Sequence, residues 1–407
     1  MVVRLKLHFC ISFLILVSAL ASAAQIPARV AAPKSIDGGL PPPRVFLLDG
    51  KGLAEVKAAA PGDAHRMEVV TEAVAAADRS MPEGPFSVTQ KGVIPPSGDK
   101  HDYMSQAPYF WPDPSKPNGL PYIRRDGEHN SEIKKITDHD NMERMGEAAQ
   151  NLALAWYYTG NIAYADRAAL LLRTWFLDRA THMNPNLEFG QGIPGINTGR
   201  GIGLIETRFL MPALDAVGLL EGSKAWSSAD TEGMKIWVEQ FLNWMRTSDK
   251  GKAEDAAKNN HGTWYDLQVT DYALFTGDRQ LAIDTLNRVK TRRIAEQIEP
   301  DGREPLELVR TNAFSYSIAN LDGLIQLAWL GQQVGVELWN YKTPDGRCIR
   351  VALDFLLPYA LGAKPWDYQQ IGGFQGRALL EDLRRAEVVY QDPKYELAIE
   401  QLSGEKK

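Results

Sequence analysis

Residues 141–176 read NMERMGEAAQNLALAWYYTGNIAYADRAALLLRTWF. Through 142–158 the apolar residues recur at three- and four-residue spacing, the period at which side chains share one face of an α-helix. Gly160 interrupts the pattern, and a second run with the same spacing occupies 162–176. Two amphipathic helices separated by so short a breaker form an antiparallel hairpin.

The same grammar extends outward from that hairpin. Helical patterns cover residues 204–220, 228–247, 264–275, 280–297, 317–334, 349–361 and 378–389, and upstream 54–79 with a break at Pro61-Gly62. Strict apolar–polar alternation, the mark of a half-buried strand, is nearly absent, so a sheet cannot organise the molecule. The prediction is an all-α fold in which helical hairpins close into an α/α toroid, an incomplete barrel. A solenoid would need a fixed sequence period, which the chain lacks.

The ends of the chain carry different signals. Arg4 and Lys6 precede an apolar run over 9–20 and the small residues Ala21-Ser22-Ala23, which reads as an export signal over 1–24. An Ala-, Pro- and Gly-rich leader follows over 25–43, and 44–407 is expected to be one catalytic domain. Of two cysteines, Cys10 lies in the signal and Cys348 is left without an internal partner. The expected location is periplasmic or secreted, with no membrane partner once the signal is removed. Across 407 residues the net charge is −6, which disfavours nucleic acid and requires any acidic ligand to be held by a local group of Arg and Lys.

Three segments carry candidate chemistry. The Pro- and Gly-rich stretch 82–137 contains Tyr109-Phe110-Trp111-Pro112, whose rings either stack on sugar faces or pin the loop to the core. Lys258-Asn259-Asn260-His261 precedes a helix whose first turn is expected near Thr263; the residues are an exposed functional cluster or a cap with a surface imidazole. In the third segment Arg310 and Tyr316 stand six residues apart. They face one cleft, or Arg310 pairs with Glu304 or Glu307 while Tyr316 fills core.

Taken together, these residues suit proton abstraction beside a carboxylate. The C5 proton of a uronate is weakly acidic, so the carboxylate must be neutralised before a base can remove it. Asn260 and Arg310 are the candidates for that task, and His261 and Tyr316 for moving protons. In mannuronate and glucuronate the C5 proton and the C4 oxygen leave from one face, so Tyr316 alone could serve, its phenol lowered or its proton relayed with the help of Arg310 and His261. In guluronate they leave from opposite faces, and two residues are needed.

The order Asn259-Asn260-His261, Arg310, Tyr316 resembles the alginate lyase superfamily of α/α-toroid polysaccharide lyases. The likeness continues through Asp126-Gly127-Glu128, 151–158, 197–201 and Asn320-Leu321-Asp322-Gly323. It implies a β-eliminating lyase of an acidic polysaccharide, alginate first and glucuronan next, working without metal or cofactor. By that resemblance Asn260 and Arg310 bind the carboxylate and Tyr316 and His261 transfer protons; Tyr109, Trp111, Arg200, Asn259 and Trp264 are candidate substrate contacts. The Gly199-Arg200-Gly201 run permits close approach to a second carboxylate, the alternative being an Arg200–Glu206 ion pair.

Two competing readings are kept. Glu304 with Glu307, or Asp113 with Asp126, could be the acids of a helical-toroid glycoside hydrolase, and an inactive polysaccharide-binding protein would keep the cleft without the chemistry. His129, Asp138, His139 and Asp140 match no tight metal-site spacing and read as a solvated polar loop.

Overall fold

The structure, a computed structural model, describes residues 41–404. The expected export signal and all but the end of the leader lie outside the described residues. The helices run in order as α1 (Gly50–Ala59), α2 (Ala64–Ser80), α3 (Asp138–Thr159), α4 (Ile162–Leu172), α5 (Met211–Leu219), α6 (Ser228–Thr247), α7 (Asp249–Asp255) and α8 (Asn260–Thr276). They continue as α9 (Arg279–Val289), α10 (Ala295–Gln297), α11 (Pro305–Leu308), α12 (Ala313–Val334), α13 (Ile349–Ala360), α14 (Leu380–Tyr390) and α15 (Pro393–Ser403).

One turn device closes two of the hairpins, α3–α4 and α8–α9. Gly160 ends α3 in the left-handed conformation at φ 68°, and the Asn161 side chain accepts from the Ala163 N–H to start α4. Gly277 ends α8 at φ 92°, and Asp278 caps α9 at the Leu281 N–H. Only glycine takes this left-handed position without strain, and Asn or Asp satisfies an orphan amide at the next helix start.

The inner helices α3, α5, α8 and α12 pack on one another, with α2, α4, α6, α9 and α13 outside them. Residues 262–273 of α8 are all buried, whereas α4, α6 and α9 bury one face and wet the other. This is the distribution a toroid requires. The all-α expectation holds, with two two-stranded sheets added near the cleft: β1 (Met104–Gln106) runs parallel to β4 (Phe189–Gly192), and β2 (Phe110–Trp111) antiparallel to β3 (Ile123–Arg124). Among the described residues no helix is long and apolar enough to cross a membrane.

Several element boundaries differ from expectation for local reasons. Residues Gly201–Leu210 form a 3-10 helix before α5, and Gly203 in it lies against the Gly190 backbone, where a Cβ would overlap. The 280–297 pattern is interrupted by a π-helical turn at Lys290–Ile294. That turn delivers Arg293, only 1% exposed, to the interior. Its Nε donates to Asp266 Oδ2 at 2.8 Å, its Nη1 to the Ala257 carbonyl at 2.6 Å and its Nη2 to the Asp255 carbonyl at 2.9 Å.

Removing one member of a buried ion pair strands the other. Arg293→Met is therefore expected to cost about 3–5 kcal/mol, read as a shift in urea unfolding. A loss under about 1 kcal/mol would show that the pair is dispensable.

Candidate active site

The site is assembled where the α7–α8 turn, the α11–α12 segment and the aromatic loop meet. A Cβ on Gly251 would overlap the Met245 carbonyl, and one on Gly201 would lie 2.6 Å from the Lys250 carbonyl. These two glycines let α7 seat closely against α6 and the 200–203 loop, which carries Glu254 into the interior at 0% exposure. The turn that follows is held through its carbonyls by Arg293.

Helix α8 starts at Asn260, earlier than the expected first turn near Thr263, so Asn260 and His261 lie in the helix rather than in the loop before it. Asn259 is the N-cap residue and is half-buried. The Asn260 backbone N–H donates to Glu307 Oε1 at 2.6 Å and its Nδ2 to Glu307 Oε2 at 2.8 Å. His261 Nδ1 lies 2.8 Å from Glu254 Oε1. Burial pushes the Glu307 carboxyl above its ordinary range, and the two Asn260 donors oppose that rise.

Arg310 pairs with Asp126 and not with Glu304 or Glu307. Its Nε and Nη2 reach the two carboxylate oxygens at 3.0 and 2.8 Å, a bidentate geometry suited to guanidinium. Thr311 Oγ1 donates to the Asp126 carbonyl at 2.9 Å. Gly127, at φ 76°, permits this closure, since a Cβ there would strike Thr311 and Asn312. Burial works to raise the Asp126 carboxyl, but the Arg310 bonds outweigh it and bring the group down to about 2.

Tyr316 lies in the first turn of α12, which begins at Ala313 and not at the expected Ser317. The Arg310 guanidinium stacks 3.7 Å above its ring, and its hydroxyl donates to the Tyr109 hydroxyl at 2.6 Å. Burial and the neighbouring Tyr109 push the Tyr316 phenol up, and Arg310 only partly offsets them. This corrects the expectation of a lowered phenol: a ring sealed between a guanidinium and a second tyrosine loses more from desolvation than it gains from one cation whose charge Asp126 already balances.

The remaining candidates separate. Tyr109 is at the centre, edge-on to His129 with ring centroids 5.0 Å apart. Trp111 is half-buried, donates to the Glu128 carbonyl at 3.0 Å and lies under Arg125. Arg200 does not pair with Glu206, which instead accepts from Tyr103 and Ser105. It donates to the carbonyl and side chain of Gln191 and stacks over Phe110, and burial lowers its guanidinium to about 10. Trp264, expected at the substrate, is 8% exposed with its indole N–H on the Ala319 carbonyl, so its place is in the packing between α8 and α12.

The paired-acid alternative loses its geometry. Glu304 and Glu307 are buried and bonded to Asn320 and Asn260, Asp126 is bound to Arg310, and Asp113 bonds Ser115 at the surface. Asp138 is likewise buried against Lys91 at 2.9 Å, away from the solvated loop expected for it. Glu254 was not legible in the sequence, since it stands seven residues before His261 with nothing to link them. The sequence offers Glu307 as a partner for Arg310 and Asp126 as part of a motif or an acid pair, whereas the tertiary contacts pair Glu307 with Asn260 and Asp126 with Arg310.

The chain is similar to proteins of known structure. The alginate lyase family model matches residues 87–366. The crystal structure of an alginate lyase from Bacteroides ovatus is 41% identical, covers 88% of this chain and 96% of its own, and superimposes with a TM-score of 0.85. Alginate lyase A1-III from Sphingomonas species A1 is 16% identical, with 84% and 88% covered and a TM-score of 0.54. A variant of A1-III complexed with tetrasaccharide gives the same identity and TM-score, with 88% and 95% covered. No curated protein sequence matches the chain.

The Asp126–Arg310 bond has a defined pH signature. A carboxyl held near 2 in the folded protein and near its ordinary 3.8 when unfolded stabilises the fold fully above about pH 4–5 and ceases to as pH falls through about 2. The stability difference between wild type and Asp126→Asn should therefore be constant near neutrality and shrink between about pH 4 and pH 2. A difference independent of pH over that range would contradict the assignment.

Proposed function

Because the chain belongs to the alginate lyase family and is a polysaccharide lyase, we propose that its cleft cleaves a 4-linked polyuronate by β-elimination, with alginate as the first substrate and glucuronan the second. The observation that carries the reading is the convergence of His261 and Asn260 on α8 with Arg310 and Tyr316, joined through Glu307, Asp126 and Tyr109. The 41% identical relative is described as an alginate lyase, which supports the choice of polymer.

In this reading the uronate carboxylate meets Asn260 and Arg310. The bond to Glu307 uses one Asn260 amide hydrogen, and the Asp126 pair uses Arg310 Nε and Nη2. A second amide hydrogen and Nη1 remain to stabilise charge that grows on the carboxylate as C5 loses its proton. His261 takes that proton, the C5 electron pair forms the C4–C5 double bond, and the bond from C4 to the bridging oxygen breaks. Tyr316, a phenol held protonated at neutral pH by burial, gives its proton to the departing oxygen. Proton return from His261 to Tyr316 through solvent resets the site. A raised phenol favours this division over one in which Tyr316 performs both transfers.

Arg200 over Phe110, with Tyr109 and Trp111 nearby, is suited to a further sugar carboxylate and ring. Export to the periplasm or medium, carried by residues 1–24, would bring the enzyme to such a polymer. No step in this scheme uses a metal, since Arg310 and Asn260 supply the positive charge and the donor.

The test is absorbance of the unsaturated product on mannuronan, guluronan, glucuronan and pectate, each with and without chelator. Chelator-insensitive absorbance on an alginate polymer is expected. New reducing ends without absorbance would instead indicate hydrolysis. Tyr316→Phe should lower kcat about 10²–10⁴-fold with little change in KM, and near-normal turnover would remove it as the acid.

A further inference from the structure

Building on the lyase reading, we propose that Glu254 is a positioning residue that fixes the His261 imidazole as the Nδ1–H tautomer and so leaves Nε2 free to accept the C5 proton. Glu254 Oε1 lies 2.8 Å from His261 Nδ1. The Glu254 side chain is 0% exposed and that of His261 is 17% exposed. A carboxylate oxygen can only accept a hydrogen bond, so the proton of this contact belongs to Nδ1. Nε2 has no hydrogen-bond partner within the protein among the described residues, which leaves its lone pair for a ligand.

Glu254 is not a surface acid that happens to meet a histidine. Its other oxygen, Oε2, is buried and has no hydrogen-bond partner among the described residues, a costly state for a polar group unless the position serves something else. The backbone that holds it is constrained on both sides. Gly251 and Gly201 allow α7 its close seat, and Arg293 grips the Asp255 and Ala257 carbonyls immediately after it. Among the described residues the His261 ring has one hydrogen-bond partner, Glu254, at the nitrogen away from which catalysis needs a lone pair. Without that neighbour a neutral imidazole is free to carry its proton on Nε2, and in that form it cannot act as a base at the substrate.

The experiment uses full-length mature protein with histidine labelled at both ring nitrogens. Long-range nitrogen–proton correlation reads the tautomer, and a His261→Gln sample assigns the resonance. Wild type should show a neutral ring protonated at Nδ1. Glu254→Ala should shift His261 toward the Nε2–H form and lower kcat by roughly 10²-fold or more with KM little changed. Glu254→Gln keeps a neutral acceptor of the same shape, so it should restore part of both the tautomer and the turnover relative to Ala. Unfolding midpoints of both variants separate this pattern from loss of fold, which would reduce activity in proportion to the folded fraction.

A wild-type ring protonated at Nε2, or a Glu254→Ala protein with unchanged tautomer or unchanged kcat, would overturn the proposal. The tautomer is read without substrate. Absence of turnover on every polyuronate would therefore overturn the lyase reading alone.

Discussion

The site depends on a buried guanidinium that never touches it. Arg293 reaches the interior through a π-helical turn and bonds the Asp266 carboxylate within α8 and the carbonyls of the turn before α8. One planar group with several fixed donors ties a helix to the loop that precedes it, a task that a point charge such as lysine performs poorly. The close contact also restricts its surroundings: Gly262 has no side chain because a Cβ there would meet both the Ala257 carbonyl and Arg293 Nη1. The residues on either side of this clamp, Glu254 before it and Asn260-His261 after it, therefore hold a fixed relation.

A common device recurs around the cleft. Each group assigned to the chemistry has a partner that is partly or fully withdrawn from water: Glu307 behind Asn260, Glu254 behind His261, Asp126 behind Arg310, Tyr109 beside Tyr316. Withdrawal strengthens each contact by lowering the local dielectric, and it also makes each partner costly to bury alone. The bonds and the burial thus require each other. Sealing Tyr316 under Arg310 has a further effect, because the desolvation that keeps its ring ordered also keeps its proton on oxygen.

The hairpin architecture was legible because its signals are local. Periodicity marks the buried face, and glycine followed by Asn or Asp marks the turn, as at Gly160-Asn161 and Gly277-Asp278. Helix starts were misplaced where a tertiary partner supplies the cap. Asn260 begins α8 early because Glu307, 47 residues away, accepts its N–H, and the first turn of α12 is fixed by loop contacts such as the Gln370 side chain accepting from the Phe314 N–H. Trp264 sits in the packing for a related reason. Its position next to the polar cluster suggested exposure, but a helix with no wet face buries every direction. The identities of Asn260, His261, Arg310 and Tyr316 came from their order along the chain, whereas their partners at 126, 254 and 307 emerge only from the fold.

The charge balance of the cleft bears on how a polyanion is held. Arg310 is matched by Asp126 before any ligand arrives, so its net field at a distance is small and its effect is short-range, strongest on charge that develops against Nη1. Arg200 differs: it has no carboxylate within ion-pair distance among the described residues, and burial lowers its guanidinium to about 10, which still leaves it charged at neutral pH. In the proposed scheme the two arginines have different tasks. Arg200, desolvated and balanced only at longer range by Glu206 and Glu254, would attract a uronate along the chain, while Arg310, already paired with Asp126, would act mainly on the enolate-like charge as it forms. That division favours turnover over tight binding, since interactions that strengthen toward the transition state accelerate the reaction and uniform attraction does not.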